Sequence, residues 1–217
     1  MEPNKILFSP IKSDSEKTEI IINNILIMLG NRIYIDKSGN KQPLLSIDEA
    51  KKKIVDKGDN TFIIKANNGE NYAIKIVFQK ITAIGKQSIV SDFFKEYTQY
   101  KKIIVANDFN NKIADFVVKH HTQIFKESAL LTDIISYRDQ PRFELLTPSE
   151  MEKVKSEYNI TDYTTNKLTK TDPVVKYFAL KKGEIVRVIR PSLTSGEAIN
   201  YRIVTLKLIN LIINTLI

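Results

Sequence analysis

Cysteine is absent from the 217-residue chain, histidine occurs twice and glycine seven times. Without cysteine there is neither a disulfide framework nor a thiolate metal site, which fits a reducing intracellular compartment. The two histidines, His120 and His121, are adjacent and point in different directions, and no second cluster of ligand types stands at metal-site spacing. The glycines are scattered singly, which excludes a phosphate-cradling loop, and no Gly-x-Ser-x-Gly elbow is present. Asp48-Glu49-Ala50-Lys51 contains the acid-x-lysine triplet that metal-dependent nucleases place on a strand, but here it opens a predicted helix, where first-turn acids are solvated. No catalytic residue, cofactor or metal is expected. The opening segment MEPNKILFSPIKSDSEK lacks an apolar core followed by a small-residue cleavage site, so no signal peptide is expected.

What is present is enough apolar material, 42%, for a real core in one large domain or two small ones. The net charge of +8 invites a nucleic-acid reading. However, residues 1–145 hold 22 Lys and Arg against 18 acids, and residues 146–205 hold 10 against 7, a diffuse spread. A dedicated nucleic-acid binder concentrates cations on one element. Three of the six arginines fall between Arg187 and Arg202.

Along the chain, Asp14 or Ser15 caps a predicted helix to about Leu29, with Gly30 as its stop and Ile21, Ile22, Ile25, Leu26 and Leu29 at helical spacing. A second capped segment spans Ser46 to Gly58, and two strands follow around the Asn67-Asn68-Gly69 turn. Ile89, Phe93, Tyr97 and Tyr100, with Val90 and Phe94, form the apolar stripe of an amphipathic helix. Strand KKIIVAN, helix NNKIADFVVKHH and strand TQIFKES continue the alternation expected of α/β layers.

A boundary lies around DQPRFELLTPSE. Thr147, Pro148 and Glu150 make a capping box with proline at the first helical position, and Leu146 with Met151 can form its hydrophobic staple. The helix would run to Tyr158, a threonine-rich loop would follow, and Asp172-Pro173 would cap a short helix, VVKYFAL. Two strands, GEIVRVIR and INYRIV, complete the unit, the first largely buried because Ile185, Val186, Val188 and Ile189 are interrupted only by Arg187.

The run from LLTPSEMEKVKSEY through DPVVKYFALKKGEIVRVIRPSLTSGEAINYRIV resembles the C-terminal domain of the shared fifth subunit of eukaryotic-type RNA polymerases, a family with archaeal members. Asp172-Pro173-Val174, Lys176-Tyr177-Phe178, Lys181-Lys182-Gly183, Arg190-Pro191-Ser192, Thr194, Gly196 and Tyr201-Arg202 stand at the family's spacing. The front half is compatible with the family's N-terminal jaw domain, as in the longer eukaryotic type and in large DNA viruses. The chain departs at Ala179, where the family commonly has glycine, and in a shorter loop, LTKT, before Asp172.

The resemblance implies an α/β and α+β protein. An N-terminal jaw domain of restriction-endonuclease-like topology would span residues 1–142, a two-layer α+β assembly domain residues 143–205, and an apolar tail residues 206–217. It implies a non-catalytic subunit whose assembly domain anchors on the largest subunit, among other polymerase subunits, while the jaw reaches toward downstream duplex DNA. That DNA contact would be weak and non-specific; no membrane and no homo-oligomer are implied. The compartment would be the nucleus for a cellular source, and a cytoplasmic virus factory or the virion for a viral one.

The interface set is Tyr177, Lys181, Lys182, Gly183, Arg187, Arg190, Pro191, Ser192, Tyr201 and Arg202. Arginine suits such a surface because its planar fork binds carboxylates and carbonyls at low desolvation cost. Gly183 would supply a tight corner. Pro191 would end strand pairing and leave Arg190 and Ser192 at an exposed edge. The DNA-proximal set is Asn107, Asn110, Asn111 and Lys112, a segment that follows a strand and opens a helix. The tail is too short and too polar to span a membrane. The competing readings are a free-standing DNA-binding or regulatory protein that reuses the module, and a degenerate nuclease-like enzyme.

Overall fold

The computed structural model describes residues 12–85, 88–133, 135, 140–161 and 164–205. The predicted tail, 206–217, lies outside them. In chain order the elements begin with α1 (Asp14–Asn31), β1 (Ile33–Ile35), β2 (Lys41–Pro43), α2 (Ile47–Lys53), β3 (Val55–Asp56), β4 (Thr61–Lys65) and β5 (Asn71–Ile81). They continue with α3 (Ile89–Glu96), β6 (Lys101–Phe109), α4 (Asn111–Lys119), β7 (Thr122–Lys126) and α5 (Glu127–Leu130). The last are β8 (Arg142–Leu145), α6 (Pro148–Tyr158), β9 (Asn166–Thr169), α7 (Pro173–Phe178), β10 (Ile185–Ser192) and β11 (Gly196–Thr205). They gather into two compact units that are discontinuous in sequence: Met1–Ile25, Lys53–Ile64 and Asn71–Thr132 form one, and Leu26–Lys52, Lys65–Glu70 and Asp133–Ile217 the other.

The first unit is built on a five-stranded sheet of order β3-β4-β5-β6-β7, in which β5, β6 and β7 run parallel. Parallel neighbours require crossovers, and α3 and α4 supply them. Val90 and Phe93 from α3, Tyr97 just after it, and Ile113 and Val117 from α4 pack on Ala73, Ile104, Ala106 and Ile124 of the sheet. Two lysines are buried here with backbone partners. Lys75 Nζ donates to the Asp59 carbonyl and carboxylate and to Thr61 Oγ1, and Lys102 Nζ donates to the Tyr97 and Tyr100 carbonyls at 3.1 and 3.2 Å. Both cations are thereby engaged inside the fold.

The second unit holds a four-stranded sheet of order β8-β10-β11-β9 and the short β1–β2 hairpin. β10 is antiparallel to both neighbours, and β9 joins β11 in parallel. Cross-strand partners share a face. One face carries Ile185 and Ile203 under Leu146, Val154 and Ile160, with Val154 coming from α6. The other carries Val186, Val204 and Leu168 under Val175 of α7. A helix on each face explains why β10 reads as a nearly continuous apolar run.

Several boundaries differ from the sequence reading, each for a local reason. Ser13, not Asp14 or Ser15, caps α1: Glu16 N donates to Ser13 Oγ at 3.3 Å, while Ser13 N donates to the Glu16 carboxylate at 2.7 Å. Gly30 does not stop the helix, which runs on to Asn31. It is needed for close approach, since a Cβ there would lie 2.8 Å from Ile47 Cγ1. The segment Ser46–Gly58 is helical only to Lys53 and then forms β3, and α3 is shorter than the stripe that announced it. RFEL and NKLT, read as boundary and loop, are the outer strands β8 and β9.

The capping box of α6 forms as predicted, with Thr147 N donating to Glu150 Oε2 at 2.6 Å and Glu150 N donating to Thr147 Oγ1 at 3.2 Å. Both α6 and α7 end in a left-handed residue, Asn159 at φ 49° and Ala179 at φ 55°. At the end of α7, Leu180 N donates to Val175 O and Ala179 N to Lys176 O, the paired bonds of a Schellman motif. Asparagine tolerates the conformation; alanine's Cβ makes it unfavourable by about 1–2 kcal/mol. Ala179→Gly should therefore raise stability by about 0.5–1 kcal/mol after the larger unfolded-state entropy of glycine is subtracted. Urea titration checks this, and an unchanged or lowered midpoint would refute it.

Candidate subunit interface

β10 and β11 form a ladder of eight pairs, from Ile185↔Ile203 to Ser192↔Gly196. Their outer neighbours are shorter: β8 reaches only Arg142↔Ile189, and β9 begins only at Asn166↔Arg202. The hairpin therefore projects beyond both, and Arg190, Pro191 and residues 193–200 on it are exposed. Leu193 at its turn and Ile199 on β11 present apolar surface to solvent.

The expectation that Pro191 ends strand pairing is corrected: it remains opposite Glu197, and the ladder continues to Ser192. Val204 N donates to Glu184 O. Alternation from that bond puts the even-numbered residues of β10 and β11 in hydrogen-bonded pairs and turns position 191 away from β11. The missing N–H of Pro191 thus faces the side where β8 has ended, and no ladder bond is lost.

The predicted interface residues separate by face. Arg187 lies with Glu144 and Tyr201, its Nη1 3.2 Å from Glu144 Oε2 and its guanidinium carbon 5.8 Å from the Tyr201 ring centre. Tyr201 and Glu144 together push the Arg187 pKa up. Arg142, on the same face, pairs with Glu144 at 3.3 Å and Glu197 at 3.8 Å. On the opposite face, Arg190, Ala198, Asn200 and Arg202 alternate with these residues. No strand position on that face carries a carboxylate. Arg202 is half-buried, with a buried Nε that has no hydrogen-bond partner among the described residues.

Lys181, Lys182 and Gly183 form the expected corner. Gly183 sits at φ 85° and donates to Val204 O at 2.9 Å, Lys181 N donates to Glu184 Oε2 at 2.8 Å, and both lysine side chains are exposed. Tyr177 is half-buried; burial pushes its phenol pKa up, and Asn31 Nδ2 donates to its hydroxyl at 2.9 Å. Beside it stands a residue that sequence reasoning missed. Arg32 is buried and donates through Nε to Tyr177 O at 2.7 Å and through Nη2 to Lys176 O at 3.3 Å. A guanidinium on the last carbonyls of α7 satisfies groups that the helix cannot satisfy itself. Nothing local in Gly30-Asn31-Arg32 announces a partner 145 positions away.

The DNA-proximal set is only partly loop. β6 runs to Phe109, so Asn107 is an exposed strand residue and not the start of a turn. Asn110 caps α4, accepting from Ile113 N at 2.9 Å and donating to Thr82 O at 3.3 Å. Asn111 and Lys112 are exposed in the first turn. Asp108 lies 2.9 Å from Lys80 and 2.8 Å from Lys126, which hold its carboxyl well below the ordinary range. His120 packs against Phe116 and Phe94 at ring separations of 4.6 and 5.4 Å, and His121 takes a left-handed turn. Asp48 and Glu49 are solvated in the first turn of α2. Among the described residues, no group of three His, Cys, Asp or Glu could hold a metal ion, and no helix is long and apolar enough to cross a membrane.

The family model described as "RNA polymerase Rpb5, C-terminal domain" matches residues 132–204. Over 204 residues the chain is 56% identical to DNA-directed RNA polymerase subunit 5 of Acanthamoeba polyphaga mimivirus, a match that covers 94% of this chain and all of that relative. It is 27% identical to the RPABC1 subunit of DNA-directed RNA polymerases I, II and III of Caenorhabditis briggsae, over 85% of this chain and 93% of that one. The counterpart in Dictyostelium discoideum is 30% identical over 61% of this chain and 56% of its own length. The class so defined is that of non-catalytic subunits of DNA-directed RNA polymerase. Within it, the chain belongs to the Rpb5 family.

Glu150 links the capping box to the β1–β2 hairpin through Lys41, 2.7 Å away, and Lys41 together with the Thr147 amide lowers its pKa to about 2. The folded carboxyl is the stronger acid, so its contribution is complete above the ordinary value of 4.5 and is lost as pH falls toward about 2. Denaturation followed across that window should show a shallower loss of stability in Glu150→Gln than in the wild type. Parallel curves would remove Glu150 from the acid response.

Proposed function

We propose that the unit built on β8-β10-β11-β9 anchors this polymerase subunit on the largest subunit, and that the five-stranded unit is the jaw, of restriction-endonuclease-like topology, that lies toward downstream duplex DNA. The projecting β10–β11 hairpin carries the first half of this reading. Its cations at Arg190 and Arg202 have no acid on their own sheet face, whereas Arg187 is already paired within the chain. A rigid ribbon whose arginines have no acid partner among the described residues is a surface for association, not for chemistry. Arg190, Pro191, Ser192 and Arg202 are the anchor residues. Tyr177, Arg187 and Tyr201 position them, and the Lys181-Lys182-Gly183 corner holds the start of β10. The protein enters the polymerase as a single copy, inside the cell, and the similarity to a viral subunit favours a virus factory or virion as its setting.

Residues 143–205 should suffice for incorporation and residues 1–142 should not, and the 143–205 fragment should be less stable than the whole chain because it lacks Arg32. In competitive incorporation of tagged full-length chains, scored by pull-down of the largest subunit, Arg190→Ala should lose about 2 kcal/mol or more of assembly free energy. The exposed lysine pair, changed to alanine, should lose well under about 1 kcal/mol. Equal incorporation of Arg190→Ala and wild type, or retention of the 1–142 fragment in place of 143–205, would overturn the anchor assignment.

For the jaw, Asn107, Asn110, Asn111 and Lys112 would approach phosphate with the free amides of α4's first turn. Asn110 already occupies one amide, and Asp108 offsets one of the two charges of Lys80 and Lys126, so the attraction for phosphate is modest. The isolated protein should bind duplex DNA at about 10⁻⁴ M or weaker at physiological salt, without sequence preference. Tight, sequence-specific binding in a fluorescence titration would instead favour a free-standing regulator.

A further inference from the structure

We propose that the open edge of β11 accepts an extended segment of another polymerase subunit, which adds to the sheet as a strand in line with β9 and carries acidic residues toward the Arg202 face and apolar residues toward the Tyr158 face. This rests on the assembly reading above and names the kind of segment that the anchor receives.

Three observations converge. The first is backbone. β9 covers β11 only over Arg202–Thr205, so among the described residues Gly196–Tyr201 have no strand on that side. The alternation that bonds residues 198 and 200 to β10 turns the amide and carbonyl of residues 197, 199 and 201 outward. Ser195 Oγ donates to the Glu197 carbonyl at 3.0 Å, which leaves Ile199 at the centre of the open edge. Groups in this array are matched by an extended polypeptide, the mode in which main-chain bonds give affinity and alternate side chains give specificity.

The second observation is charge. The two sheet faces differ: Arg142 and Arg187 meet Glu144 and Glu197 on one, whereas Arg190 and Arg202 share the other with no strand carboxylate. The half-buried Arg202 has a buried Nε without a partner among the described residues, as has Arg187, but Arg187 keeps Glu144 as an acceptor for its Nη1. An added strand would place every second side chain on that face, and a carboxylate there would supply the missing acceptor.

The third is the groove alongside. Tyr158, Ile160, Thr164, Asn166, Ile199 and Tyr201 line a space of about 320 Å³. Tyr158 and Ile199 are 60% and 56% exposed, which is apolar surface suited to the alternate residues of the same strand. Two arginines beside a face that carries Glu144 and Glu197 make a poor phosphate track, so a polypeptide is favoured over nucleic acid.

The test uses the full chain in polymerase assembled from co-expressed subunits. A p-benzoylphenylalanine placed at position 199 should photo-cross-link to one segment of another subunit with Asp or Glu at alternate positions, while the same probe at position 153, exposed on α6, should not. Ile199→Pro removes an outward amide without touching the β10 ladder, so it should fold normally by circular dichroism yet compete with wild type for incorporation about tenfold less well or worse. Arg202→Gln should lose incorporation in the same direction. If wild type incorporates but the probe at 199 links only to nucleic acid, to this chain or to nothing, the inference is wrong and the assembly reading stands. Full incorporation of a folded Ile199→Pro chain overturns it as well. Failure of wild type to incorporate at all would instead remove the assembly reading itself.

Discussion

The eight-pair antiparallel ladder between β10 and β11 is the constraint on which the second unit depends. Its inner half must be apolar on both faces, because α6 covers one and α7 the other, and Ile185, Val186, Val188 and Ile203 are almost wholly buried there. Its outer half has no such cover, since β8 and β9 stop short. The same two strands therefore serve as core at one end and as exposed surface at the other. A rigid ribbon of this kind is preorganised, so little ordering opposes association when a partner arrives.

The corners that hold the ladder are set by backbone conformation more than by side-chain contacts. Gly183, just before β10, and Gly196, the first residue of β11, are both at positive φ, where a Cβ would be strained. Ala179 takes the same region without that freedom. Arg32 offsets part of the resulting cost by binding the carbonyls of Lys176 and Tyr177 just before it. The last turn of α7 is thus held by a charge-assisted clamp contributed from far back in the chain, and the second unit cannot be understood as a continuous C-terminal stretch.

What was legible in the sequence follows from how local each signal is. The Thr147-Glu150 capping box, the Asp172-Pro173 cap and the Lys-Lys-Gly corner are bonds between residues a few positions apart, and all appear where the spacing put them. The burial of β10 was readable because a strand covered on both faces has no polar side to alternate with. β8 and β9 were not readable, since four residues with a single or alternating apolar position become strands only when a longer neighbour offers its edge. The roles of Arg187 and Arg202 were equally hidden. Both are arginines in strands, and only the register places one opposite Glu144 and the other opposite Val186.

That register also bears on why the arginines are where they are. A guanidinium tolerates partial burial only when its donors find acceptors, and leaving one unmatched opposes folding. Arg187 meets its requirement only in part within the chain, through Nη1 on Glu144, because its Nε is also buried without a partner among the described residues. Arg202 likewise has a buried Nε without a partner among the described residues, and Val186 stands opposite it where Glu144 stands opposite Arg187. Two arginines fifteen positions apart in one hairpin thus share an unmatched Nε and differ in their faces, since Arg187 has Glu144 and Glu197 on its own and no strand carboxylate shares that of Arg202.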